Sequence, residues 1–213
     1  MPTNPSARHS LPHARRIAGV LGLALLTGCG SLLPPPPAPE KIYVLEATSP
    51  STDARPAAPR AIVLAVSTPR ARAGYDTDRM VWVRQAHGLE VFARNRWADT
   101  PARMLAPLLV QSLQRSGTFQ AIVPASSNVS AHWRLDTEVI RLQHDFSTTP
   151  SRVQLNLGVQ LVDLATRRVI ASAEFEEMEP AASEDPYGGV LAANRALLRL
   201  LTRVTAFCKN SSG

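Results

Sequence analysis

VQLNLGVQL, residues 153–161, alternates without interruption: Val153, Leu155, Leu157, Val159 and Leu161 fall on one side, Gln154, Asn156, Gly158 and Gln160 on the other. Successive side chains of an extended strand point to opposite faces, so the pattern predicts a strand with one face on a core and the other toward water or a partner. The segment before it, residues 131–146, alternates in the same way through Trp133, Leu135, Thr137 and Val139, then slips phase at Ile140 and Leu142. A β-bulge, one extra residue in the ladder, accounts for the slip. After it, Thr166-Arg167-Arg168 turns the chain into another strand over residues 169–175, which makes a hairpin.

Further out, AIVLAV at 61–66 is an unbroken apolar run, as expected of a strand covered on both faces near the centre of a sheet. KIYVLEA at 41–47 reads as a first strand and 119–123 as a short one. Residues 80–85 and 89–93 flank Ala86-His87-Gly88, a hairpin in which the glycine is expected to take the positive φ. A helix follows, with Asp99 or Thr100 as its cap, Pro101 in its first turn and Gly117 at its end. Met104, Leu105, Leu108, Leu109 and Leu113 share one of its faces, while Pro107 deletes a backbone bond inside it and is expected to kink it. Asp185-Pro186 starts a second helix, with Tyr187, Val190, Leu191, Asn194, Leu198, Leu201 and Thr205 at helical spacing. Strands interleaved with two amphipathic helices in this order predict an α+β fold: a mixed, mostly antiparallel sheet with both helices packed on one side.

The 213 residues, 45% hydrophobic and 19% charged, suffice for one cored domain and fall short of two. Residues 1–28 hold Arg8, Arg15 and Arg16 and no acid, and 17–26 form an uncharged run, IAGVLGLALL. A basic start, a short apolar run and small residues before a cleavage point make a secretory signal, and the run is too short for a membrane-spanning helix of roughly 20 residues. Leu26-Thr27-Gly28-Cys29 is similar to a bacterial lipobox, in which lipid is attached to the cysteine thiol and the signal is cut before it; a plain secretory signal with a chance cysteine is the alternative. A single acyl chain anchors only marginally, whereas several hold a protein in place. Residues 31–40 contain five prolines, so this stretch is expected to run extended at about 3 Å per residue. The expected organisation is a lipoprotein signal over 1–28, lipidated Cys29 and a proline-rich tether over 29–40, one domain over 41–208 and a disordered tail over 209–213.

Cleavage before Cys29 removes three arginines and no acid, taking the formal net charge from +6 to +3. With export also expected, nucleic acid is excluded as a partner. Cys208 then has no intramolecular partner and is expected to be a semi-buried residue, with an intermolecular disulfide as the alternative. The sequence holds no G-x-S-x-G elbow, phosphate-binding loop, H-E-x-x-H or paired-cysteine metal motif, so neither an enzyme nor a cofactor beyond the lipid on Cys29 is expected. His87, His132 and His144 read as surface histidines. Seven arginines and four acids lie between Arg70 and Arg103, interleaved with Tyr75, Trp82, Phe92 and Trp97. That mixture suits anionic headgroups or a protein partner, and two hairpin strands with a solvated polar face give it equally well. Glu174, Glu176, Glu177, Glu179, Glu184 and Asp185 form an acidic stretch, either a charged edge that discourages pairing or a dock for a basic partner.

Gly74-Tyr75-Asp76-Thr77-Asp78-Arg79-Met80 and Asn95-Arg96-Trp97-Ala98-Asp99-Thr100-Pro101-Ala102-Arg103-Met104-Leu105 resemble the signature segments of the ABC-type transport auxiliary lipoproteins. Leu135-Asp136-Thr137-Glu138, Leu161-Val162-Asp163 and Ala192-Ala193-Asn194 are similar to weaker blocks of the same family, and the likeness covers about residues 42–207. The resemblance implies a non-enzymatic accessory of an ABC permease and ATPase and an MCE-domain (mammalian cell entry) protein, in systems that move phospholipids or other apolar molecules. It supplies no catalytic residues. Gly30, where an aspartate would favour inner-membrane retention, points to the periplasmic face of the outer membrane. Tyr75, Arg79, Trp82, Trp97 and Asp99 are the expected contacts to partner or lipid and Cys29 the lipidation site; the alternatives are a structural lipoprotein without a transport role, homo-oligomeric through strand edges, and a periplasmic enzyme whose site residues no sequence motif connects. Asp99 as a cap and Trp97 as filling between helix and sheet would explain both residues structurally.

Overall fold

The structure, a computed structural model, describes residues 38–47 and 59–211. Its strands are β1 (Lys41–Tyr43), β2 (Arg60–Val66), β3 (Arg70–Ala71), β4 (Arg79–Val83), β5 (Glu90–Trp97), β6 (Phe119–Pro124), β7 (Trp133–Asp145), β8 (Arg152–Asp163) and β9 (Arg168–Pro180). The helices are α1 (Pro101–Arg115), after β5, and α2 (Pro186–Asn210), after β9. The expected signal, Cys29 and most of the tether lie outside the described residues.

The alternating segment at 153–161 forms the middle of β8, antiparallel to β7 on one side and to β9 on the other. These two ladders are the long ones, which makes the sheet mostly antiparallel residue for residue. Along its other side β7 pairs in parallel with three strands in succession: β2 at Trp133 to Leu135, β3 at Glu138 and Val139, and β4 at His144 and Asp145. β6 adds to β2 in parallel, β5 to β4 antiparallel, and β1 to β5 in parallel, giving the mixed sheet. The β7–β8 register shifts between Val139 and Arg141, so Ile140 is the extra residue that the phase slip predicted.

Both helices cover the same face. Val153, Leu155, Leu157, Val159 and Leu161 are each at most 4% exposed and meet Leu105, Leu109 and Leu113 of α1 and Ala196, Leu197 and Leu200 of α2 in one core. At about 25 cal/mol per Å2 of apolar area, each fully buried leucine contributes roughly 1.5–3 kcal/mol, and the stripe acts as a unit. β2 is covered on both faces only in its second half, where Leu64, Ala65 and Val66 are buried; Ala61 is exposed.

Several expectations are corrected. The positive φ in the β4–β5 connection falls on His87 (67°), not on Gly88, whereas Gly117 does take it (60°) after α1. As expected, α1 continues through Pro107, which lies on its exposed side. Of the two expected caps of α1, Thr100 holds the N-cap position, without a side-chain cap bond; Asp99 stands one residue earlier and accepts the Thr100 N–H at 2.7 Å. The buried face of α2 keeps Val190 and Leu201 of the expected stripe but is rotated from the rest: Tyr187 is 54% exposed, while Gly189, Ala192, Ala193, Ala196, Leu197, Leu200, Val204 and Cys208 are buried. Small side chains let the helix approach the sheet closely, and a pattern weighted by leucine overlooks them. α2 also continues through Lys209 and Asn210, where a disordered tail was expected.

Candidate functional site

The side of the sheet without helices is built from the polar half of each alternating strand. Arg141, Gln143 and Asp145 of β7 lie on it, beside Gln154 and Asn156 of β8 and Glu174 and Glu176 of β9. A directed relay crosses the three strands: Tyr75 O–H donates to Gln143 Oε1 at 2.6 Å, Gln143 Nε2 to Gln154 Oε1 at 3.2 Å, and Gln154 Nε2 to Glu176 Oε1. Nearer the start of β7, Ser67 Oγ donates to Asp136 Oδ1 at 2.6 Å and Arg134 also binds that carboxylate, while Arg72 pairs with Glu138 at 3.4 Å. Burial by itself would raise the Asp136 pKa, but the hydrogen bonds from Arg134 and Ser67 outweigh it and hold the carboxyl below its usual range.

Two clefts open on this face. The larger, about 580 Å3, has Tyr75, Arg141, Gln143 and Asp145 among its lining residues, with Val83 and Leu89. The smaller, about 280 Å3, is bounded by Arg70, Arg72, Glu138 and Gln160. Asp145 is fixed by the Ser147 N–H at 2.8 Å and Arg152 Nε at 3.3 Å; these bonds outweigh the effect of burial and keep it ionised below the usual carboxylate range. Tyr75 is delivered by the loop between β3 and β4, where Gly74 takes a φ of 91° and Tyr75 N–H donates to Arg72 O at 2.9 Å. Arg96 braces the end of that loop, contacting Asp78 at 2.9 Å and Glu40 at 3.0 Å, and the Asp78 hydrogen bond raises its pKa. Among the described residues no three His, Cys, Asp or Glu side chains converge as a metal site, and no helix is long and apolar enough to cross a membrane.

The expected contact residues do not form one cluster. Tyr75 lines the large cleft, Arg79 is exposed at the start of β4, and Asp99 lies at the entry of α1, 3.6 Å from Arg103. Trp97 is 4% exposed and packs in the core, the filling role. Trp82 points to the helix side, in an aromatic group with Phe92 and Phe146 at centroid separations of 6.0 Å each, with Arg84 stacked 5.0 Å from its ring. The acidic stretch is largely satisfied internally: Glu177 pairs with Arg199 and Arg203 at 2.8 Å, and Glu179 with Arg195 and Arg199 at 2.5 Å, all from α2.

His144 is the residue most changed by folding. Read as a surface histidine, it is 3% exposed, with its ring 4.1 Å from Phe146 and Nε2 2.8 Å from Ser151 Oγ. Its Nδ1 has no partner, and it sits where a Cβ on Gly189 of α2 would lie 2.5 Å away. Burial lowers its pKa, against the opposing charges of Glu184, Asp185 and Asp145. Arg141, Gln143 and Asp145 were singled out by no motif; the signal that marks them is the polar half of the 131–146 alternation, read together with that of 153–161.

Residues 43–205 match the model of the ABC-type transport auxiliary lipoprotein component. The chain belongs to this family. As an ABC-type transport auxiliary lipoprotein it serves a transport system with further components, and no enzyme family is indicated. A crystal structure of a Xanthomonas campestris protein with the family model DUF330 shares the fold at a TM-score of 0.72 and 22% identity, covering 80% of this chain and 95% of that one. A crystal structure of an uncharacterized protein aligns at 0.62 and 13% identity, covering 80% and 99%. No curated protein matches the sequence. Of the two resemblance segments, Gly74 to Met80 carries Tyr75 into the large cleft, whereas Asn95 to Leu105 joins β5 to α1 and lines neither cleft.

Proposed function

We propose that the protein is a lipid-anchored, non-catalytic accessory of an MCE-type ABC transport system that moves phospholipids or other apolar molecules between membranes. In this reading Cys29 carries the lipid, residues 29–40 space the domain from the periplasmic face of the outer membrane, and the helix-free face of the sheet contacts the MCE-domain protein or its ABC partners. The family match over 43–205 carries the reading. The helix-free face supports it physically, since β7, β8 and β9 present there a polar surface with two clefts while the other face is filled by the core. The lining is mixed polar and aliphatic, as in the rim and core of interfaces that form and separate.

Affinity purification of the full chain from detergent-solubilised membranes tests the reading. MCE and ABC subunits of one system are expected to co-purify, and their absence would overturn it. Cys29→Ser is expected to remove acyl labelling and release the protein from the membrane fraction; unchanged labelling and pelleting would refute the anchor.

A further inference from the structure

We infer that the large cleft binds an acidic, aliphatic-flanked extended segment of a partner protein, with Arg141 as the contact to its carboxylate. This rests on the reading of the helix-free face as a protein dock and adds what kind of segment it takes. Each carboxylate near Arg141 on this face already has its counter-charge or donor. Asp145 is bound by Arg152 and the Ser147 N–H, Glu138 by Arg72, and Glu176 accepts from Gln154. Arg141 itself, half-buried in the cleft, has no carboxylate within ion-pair distance among the described residues. The cleft therefore holds a guanidinium whose planar fork matches a carboxylate and which nothing in the described chain neutralises.

The remaining lining narrows the occupant. The Tyr75 proton is committed to Gln143 at 2.6 Å, so its oxygen faces the cleft as an acceptor for a backbone N–H. Gln85 and Ser147 add groups suited to peptide amides, and Val83 and Leu89, the latter 48% exposed, form an aliphatic wall. Two aliphatic side chains cover one or two residues of a peptide and fall far short of an acyl chain. Charge complementarity at Arg141 and amide-matching groups beside it thus favour a protein segment over a lipid.

The probe is a fluorescein-labelled peptide, Leu-Asp-Leu-Glu-Leu, against its Asn/Gln counterpart, titrated by anisotropy into the full-length protein in neutral detergent. Binding by the acidic peptide is expected, weakened at least about tenfold in the amide peptide and by Arg141→Gln, since hydrogen bonds to charged groups carry that much. Arg141→Lys is expected to recover part of the loss, which a folding defect would not allow. Arg72→Gln, on the same face, is expected to leave binding unchanged. No binding up to millimolar peptide, equal binding of the two peptides, or Arg141-dependent binding of phosphatidylglycerol vesicles without peptide binding would each overturn the inference. The two readings also fail separately: recovery of MCE and ABC subunits with wild type and Arg141→Gln alike sinks only the role of Arg141, whereas no recovery with wild type sinks the docking function beneath it.

Discussion

Gly189→Ala places a methyl group against a ring that has nowhere to go. A Cβ at this position would lie 2.5 Å from His144 Nδ1, 3.1 Å from Cε1 and 3.2 Å from Cγ, where carbon contacts are comfortable only near 3.5–4.0 Å. Retreat by the imidazole is blocked by the Phe146 ring at 4.1 Å and by the hydrogen bond from its far side to Ser151, which is itself fully buried. Overpacking of this kind costs about 1–3 kcal/mol, while replacing glycine by alanine in a helix returns up to about 1 kcal/mol. The net expectation is a loss of about 1–2 kcal/mol, or about 2–4 °C in Tm for each kcal/mol in a chain of this size. Urea unfolding of the full-length protein in detergent measures it, with a double-mutant cycle against His144→Ala as the decisive arm. With the ring gone, Gly189→Ala should become neutral or stabilising. An equal loss in both backgrounds, or none in wild type, would refute the argument that Gly189 is there to admit His144.

Other outcomes follow from the same geometry. The folded protein holds His144 below its ordinary pKa, so the unfolded chain binds the extra proton first; stability should be full above about pH 6.5 and decline as the pH falls below it, with a shallower decline in His144→Gln. Stability measured between pH 5 and 8 checks this, and identical pH profiles would refute it. Asp185 accepts the Gly188 N–H at 2.8 Å as a true N-cap, so Asp185→Ala should cost about 1 kcal/mol, whereas Asp99→Ala, which breaks only a bond from the Thr100 N–H and an exposed ion pair, should cost less than half of that by the same unfolding assay. Glu177 and Glu179, depressed by hydrogen bonds from Arg199 with Arg203 and Arg195 against the opposing effect of burial, contribute stability above the carboxylate range that is lost as they protonate. Replacing both by glutamine should flatten the decline in stability between about pH 5 and 3 and reduce its sensitivity to salt. Cys208, with its thiol pushed up to about 12 by burial, should resist alkylation at pH 8 until the protein unfolds; rapid labelling of the native protein would contradict its placement.

What the sequence announced, it announced through periodicity. β8 was legible because one face of it is purely aliphatic, and the bulge at Ile140 was legible because a bulge shifts the phase of everything after it. The parallel attachment of β2, β3 and β4 to β7 was not, because each ladder is two or three residues long and depends on where loops return the chain. α2 was found, with Val190 and Leu201 placed correctly, but the rest of its buried face was missed, since much of it consists of alanines and two glycines that carry little hydrophobic signal. His144 could not be placed for a related reason: its burial is completed by Gly189 of α2, far along the chain, and by the turn after β7 that folds Phe146 and Ser151 back onto the ring. At the site, Tyr75 was reached through the resemblance segment, whereas Arg141 stands out only once its neighbours' counter-charges are known.

Whether the helix-free face meets the transporter is decided by photo-crosslinking in intact cells that express the full lipoprotein. A photoreactive amino acid replaces Gln160, exposed beside the smaller cleft, or Thr202, exposed on α2. Adducts to an MCE or ABC subunit are expected from position 160 and none from position 202. Adducts from position 202 alone, or none to a transporter subunit from either, would contradict that contact.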